Sequence, residues 1–258
     1  MSTWQAAFPV VAATLGGALN AVAGGGLFLA FPALILTGMA PIPANATSTV
    51  ALWPGSLLSI GAYRRELTAQ SHAALLAAVS VLGSLSGAAI LLRTPQPVFG
   101  RLLPWLMLTA TLLFAFGRTM SAFLQLAPRR SIEPSPSGLA GVLVAQFAIA
   151  LYGGFFGGGI GIMMLALFSL FGMHDIHRMN ALKTLLVACI NGAAVVLFTL
   201  GGLVHWPSAF AMTIGATIGG YGGAAYGRRL DPRVLRIFVT GIGSAMTVYF
   251  FCRRYGAP

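Results

Sequence analysis

The chain has 258 residues, 57% of them hydrophobic and 7% charged, with a formal net charge of +11 and a mean hydropathy of +0.87. Soluble domains carry about 25% charged residues, so this composition excludes a soluble monomer and points to an integral membrane protein with several spans. The positive charge does not point to nucleic acid, because the arginines sit in short clusters between apolar runs, where cytoplasmic loops carry their excess.

In chain order, residues 6–22 form a first apolar segment, broken at Gly24-Gly25-Gly26, and a shorter one covers 27–37. Neither fragment spans comfortably alone, and the triple glycine marks unwound backbone between them. Residues 46–62 are a fuller span interrupted by Pro54, and residues 71–92 are rich in small residues (Gly83, Ser84, Ser86, Gly87, Ala88) that let helix backbones approach closely. Arg93 to Arg101 reads as a loop and 102–117 as another span. The stretch 118–137, with Arg118, Arg129, Arg130, Glu133, Pro134 and Pro136, is the one linker. Then come 138–156, a break at Gly157-Gly158-Gly159, 160–171, and spans at 179–200, 206–227 and 234–252.

The second half echoes the first. Gly24–Gly26 map onto Gly157–Gly159, Gly38 onto Gly172, Asn45-Ala46 onto Asn180-Ala181, and Gly83/Gly87 onto Gly219/Gly223. The expected fold is one all-α polytopic membrane domain of two homologous halves: repeat 1 over about 6–117, the linker, and repeat 2 over about 138–252. Each half holds a glycine-broken helix pair and three spanning helices. If each broken pair crossed once, the 15 Lys and Arg residues would divide 7 against 8; if each pair returns to its starting side, they divide 11 against 4. The positive-inside rule favours the second topology, with the linker cytoplasmic and the halves inverted relative to one another.

Two broken helices place free backbone N–H groups at membrane depth, which is tolerated where they line a cavity or are buried in protein. Half-helix amino termini attract anions. Gly24, Gly25, Gly26, Gly157, Gly158 and Gly159 are therefore candidate substrate contacts, with tight helix packing as their alternative role. Asn45, Thr47, Ser48 and Thr49 open one segment, and Asn180, Lys183 and Thr184 open its counterpart. A lone Asn or Thr there would be an ordinary helix cap. Lys183 is the only lysine and aligns with Ser48. An ionisable residue in a span signals function, against the alternative of a side chain reaching out to the interface.

His174, Asp175, His177 and Arg178 make a polar knot before Asn180, read as a loop or gate rather than a metal site, since no third histidine or cysteine is near. His72 and His205 start corresponding helices and read as interfacial. The acids Glu66, Glu133, Asp175 and Asp231 fall in loops or at segment ends, so neither a proton relay nor a carboxylate cation site is legible within a span. Cys189 and Cys252 suggest neither a disulfide framework nor a metal centre. The first positive residue is Arg64, so a cleaved signal peptide is not expected. No metal or cofactor is called for. The chemistry on offer suits an anion.

The glycine triplet Gly24–Gly26, the stretch Pro41-Ile42-Pro43-Ala44-Asn45-Ala46-Thr47-Ser48-Thr49 and its echo Asn180-Ala181-Leu182-Lys183-Thr184 resemble the TauE/SafE (toluene-sulfonate uptake permease) family over nearly the whole chain. The resemblance implies a multi-pass transporter of the bacterial plasma membrane moving sulfite, thiosulfate or an organosulfonate. It leaves direction and coupling ion (H+ or Na+) open. The expected activity is secondary transport of such an anion by alternating access around a midplane site. A passive anion channel and a non-transporting assembly subunit are the alternatives. A membrane enzyme would need a nucleophile–base pair or metal ligands converging in a span, and Ser48 and Ser56 have no such partner at helical spacing. Beyond the small anion and the bilayer, a homodimer is the one further partner suggested, because the small-residue faces at 83–88 and 219–224 suit either internal packing or a dimer.

Overall fold

Proline marks where half of the helices begin. The computed structural model describes residues 3–23, 25–62, 72–126, 136–173, 175–226 and 232–255. Among these the chain forms helices α1 (Thr3–Ala23), α2 (Leu27–Leu36), α3 (Pro41–Ala62), α4 (Ala73–Arg93), α5 (Gln96–Leu126), α6 (Pro136–Phe155), α7 (Ile160–Leu170), α8 (Ile176–Leu200), α9 (Trp206–Tyr226) and α10 (Pro232–Tyr255), and no strand. Pro41, Pro136 and Pro232 are first residues and Pro97 and Pro207 second ones, positions whose N–H has no helical partner to lose. α4, α8, and the stretches Gln96–Phe116 of α5 and Gly138–Phe155 of α6 are long and apolar enough to cross a membrane. α2 and α7 are much shorter apolar helices. This is an all-α polytopic membrane protein.

The two short helices end in one backbone geometry, which also closes α8 at Gly202. α2 ends with Gly38 at φ +95° and α7 with Gly172 at φ +82°. Both ends are closed by the same pair of bonds, Gly38 N–H to Ile35 O with Met39 N–H to Leu34 O, and Gly172 N–H to Ser169 O with Met173 N–H to Phe168 O. A left-handed residue is needed to complete this cap, and glycine adopts it without strain. The second broken pair is a hairpin, since Gly153 lies against Ile160 while Gly141 lies against Phe171, so α7 runs back along α6.

The halves interlock. α1 packs chiefly on α9 of the other half, and α6 packs on α4. The other contacts between the halves pair off in the same way: α3 with α9 and α8 with α4, α5 with α7 and α10 with α2, α3 with α8, and α5 with α10. Glycine makes the two main contacts possible. A Cβ on Gly219 would collide with the Thr14 carbonyl and one on Gly17 with the Ala216 carbonyl; in the matching pair, Gly87 abuts the Leu151 carbonyl and Gly154 the Ser84 carbonyl. The small-residue faces around Gly83/Gly87 and Gly219/Gly223 thus serve packing inside the chain.

Three boundaries differ from those read in the sequence. Pro54 does not interrupt α3, which continues through it to Ala62. The segment expected to end at residue 117 runs on to Leu126, so the connection shortens to 127–135, outside the described residues. The loop expected over Arg93 to Arg101 shrinks to Thr94 and Pro95, because Pro97 opens α5 rather than breaking it.

Candidate functional site

The two breaks approach one another. Leu27 and Phe28, directly after the first glycine run, share a narrow apolar crevice with Phe156 and Gly158 of the second run and with Met107 of α5. Aromatic rings close it: Phe28 stands edge-on to Phe114 and Phe31 edge-on to Phe156, both with centroids 5.7 Å apart. Gly25, Gly26, Gly158 and Gly159 are all buried. Gly24 lies outside the described residues.

The breaks are not built alike. Gly26 is right-handed (φ −58°, ψ −33°) and starts α2. Gly157 and Gly159 are left-handed, at φ +83° and +82°. Gly159 caps α7 with no side chain bonded to its N–H groups. Bonds to Gly159 O come from Ile162 and Met163 N–H, so the donors of Gly159, Ile160 and Gly161 are the free ones expected at a helix start. Gly25 packs on the Phe114 ring, Gly26 on Gly16 and Asn20, and Gly158 on Phe156 and Ala110. Gly25, Gly26 and Gly158 are thus in contact with neighbouring protein in this conformation, while Gly157 is half-buried.

The polar start of α3 is wholly buried, with Asn45 1% exposed and Thr47, Ser48 and Thr49 also inside. Asn45 is no cap, since Pro41 starts the helix four residues earlier. Its Nδ2 donates instead to the Phe155 carbonyl, 3.1 Å away at the end of α6, and its Oδ1 has no partner. The hydroxyls of Ser48 and Thr49 both donate to Asn45 O, at 3.0 and 2.8 Å. Thr47 Oγ1 accepts from His205 N–H at 3.0 Å.

The start of α8 is charged and exposed over 175–178, and half-buried at Asn180, Lys183 and Thr184. Asp175 caps it, accepting from His177 and Arg178 N–H at 2.9 and 3.3 Å and pairing with Arg178 at 3.4 Å. This accounts for Asp175 in the polar knot; His174 lies outside the described residues. Asn180 is therefore no cap either. Its Oδ1 accepts from Lys183 Nζ at 2.9 Å and its carbonyl from the Thr184 hydroxyl at 2.8 Å. The Lys183 stem lies on Gly161, in the first turn of α7. Among the described residues, no three His, Cys, Asp or Glu side chains come together as a metal site would need.

α3 and α8 run antiparallel. Trp53 Nε1 donates to Ala188 O at 3.0 Å, while Thr47, earlier on α3, meets His205, beyond the end of α8. Asn45–Thr49 and Asn180–Thr184 consequently lie towards opposite ends of this pair. Each nonetheless touches the α6–α7 break, Asn45 through Phe155 and Lys183 through Gly161. Sequence reasoning missed the aromatic cover. Its signal was present, in that Phe155-Phe156 directly precedes one glycine run and Phe28 follows the other by two residues.

A helical membrane protein of two interlocked halves meeting at paired breaks has the build of a membrane transport protein, and related chains carry names of that class. "Probable membrane transporter protein YfcA" of Escherichia coli strain K12 is 31% identical over 245 residues, covering 92% of this chain and 87% of that protein. "Probable membrane transporter protein" of Haemophilus influenzae is 29% identical, with 89% and 88% covered. "Probable membrane transporter protein ORF9" of Sinorhizobium sp is 24% identical, with 94% and 90% covered. The profile of the family described as Sulfite exporter TauE/SafE matches residues 10–250, and this chain belongs to that family of membrane transporters. No solved structure matches it.

Proposed function

We propose that this protein is a secondary transporter of the bacterial inner membrane for a small sulfur-containing anion such as sulfite, thiosulfate or an organosulfonate. Substrate would reach the α6–α7 break by alternating access, with the free N–H groups of Gly159, Ile160 and Gly161 donating to its oxygens and Lys183 supplying net positive charge. The observation that carries this reading is the juxtaposition at one break of an uncapped, buried helix start and the chain's only lysine, which together form an electropositive site. The family description, which names sulfite export, favours a sulfur oxyanion. Gly24, Gly25 and Gly26 would serve as the partner break on the far side of the crevice.

In this reading the two halves are inverted relative to one another, with the 127–135 connection cytoplasmic; the charge asymmetry of the loops and the reciprocal helix contacts support it. Because α1 and α4 each pack on the opposite half, the bodies that move are mixed ones rather than the sequence repeats. Catalysis has no place in it. The test is flux of labelled sulfite, thiosulfate and methanesulfonate into proteoliposomes, with and without a pH or Na+ gradient. Saturable flux of at least one anion is expected. No flux of any of them from folded protein would overturn the assignment.

A further inference from the structure

Donors and acceptors are unevenly distributed around the α6–α7 break. On the α7 side the free groups are donors, the N–H groups of Gly159, Ile160 and Gly161. On the α3 side one N–H of Asn45 Nδ2 is given to Phe155 O, and the Ser48 and Thr49 hydroxyls to Asn45 O. The buried side-chain atom there with no partner at all is an acceptor, Asn45 Oδ1, on a residue 1% exposed. The orientation of the amide follows from its surroundings, because only Nδ2 can donate to the Phe155 carbonyl. Three residues, 156–158, separate Phe155, whose carbonyl Asn45 holds, from Gly159, the first of the free donors.

A fully ionised oxyanion or a sulfonate brings acceptors alone. It would satisfy the α7 donors and leave Asn45 Oδ1 buried beside further negative oxygen, an arrangement that costs free energy. An anion that keeps one O–H group satisfies both sides at once. We propose that the α6–α7 break selects an oxyanion carrying its own proton, of the hydrogen sulfite type, whose O–H donates to Asn45 Oδ1 while its other oxygens accept from the start of α7. This rests on the reading of that break as the anion site, and narrows it. Asn45 then has two tasks, holding the end of α6 with its nitrogen and reading the ligand's proton with its oxygen.

Hydrogen sulfite and methanesulfonate make the test, being monoanions of similar size that differ by an O–H against a methyl group. Purified protein in detergent is titrated with each at a mildly acidic pH, where sulfite is singly protonated. Hydrogen sulfite is expected to bind at least about tenfold more tightly, because a site built to bond a hydroxyl strongly rejects the analogue without one. Asn45→Leu is expected to abolish that preference, leaving both anions bound weakly and equally. Equal binding of the two by the wild-type protein would overturn the proposal and leave the anion reading standing, whatever the variant does. Binding of neither would overturn both. A full preference retained in Asn45→Leu would return Oδ1 to a bound water and overturn the proposal as well.

Discussion

The starts of α3 and α8 share a sequence pattern and do different things. Asn45-Ala46 and Asn180-Ala181 align, and the threonine four residues after each asparagine donates to that asparagine's carbonyl at 2.8 Å in both. The local backbone is therefore the same. The tertiary setting is not: Asn45 is buried and reaches across to the opposite half, whereas Asn180 is half-buried and holds Lys183. The two helix starts share this hydrogen bond, and the Ser48/Lys183 difference places the chain's single lysine in one half. The glycine breaks diverge in the same sense, with left-handed residues in the second only among the described positions.

Exchanging residues between the two starts should expose this difference, beginning with the largest effect. Ser48 is fully buried, so Ser48→Lys would place an unpaired ammonium inside the protein and is expected to cost about 3–5 kcal/mol. Loss of monodisperse protein on detergent extraction would register it, and normal yield would show that the start of α3 is as open as that of α8. Asn45→Ala strips the Phe155 carbonyl of its donor in a buried place, an expected loss of about 1–3 kcal/mol visible as a lowered thermal midpoint. Gly159→Ala forces a side chain into a left-handed position, at about 1–2 kcal/mol by the same measurement. Lys183→Ser should be the mildest for folding, about 1 kcal/mol or less, since its amine bonds a single half-buried asparagine. A thermal midpoint as low as that of Ser48→Lys would make Lys183 a structural residue.

Much of this architecture was legible. Apolar runs, the two glycine triplets and prolines at helix starts are local signals, and the observed helices other than α5 fall within a few residues of them. Gly38 and Gly172 could be matched because a left-handed cap leaves a glycine in the sequence. The exchange of α1 and α4 between halves could not be read, because it depends on which small-residue faces meet: Gly83/Gly87 suit any close-packed neighbour, and only the folded chain pairs them with Phe147 and Leu151. The candidate site divides in the same way. The residue types around the breaks were readable from spacing, while the role of Asn45 was not. An asparagine near a helix start reads as a cap, and neither its bond to Phe155, 110 residues away, nor its orphan oxygen leaves a local trace.

The most direct measurement of the central claim is sulfite flux into proteoliposomes holding either the wild-type protein or Lys183→Ala, with equal amounts of folded protein confirmed. If the α8 start supplies the charge that draws the anion to the break, the wild type shows saturable flux and the variant loses at least about tenfold, the effect of removing a charged hydrogen-bonding partner. Wild-type flux through Lys183→Ala would contradict that claim and leave the lysine as a side chain that merely lies along α7.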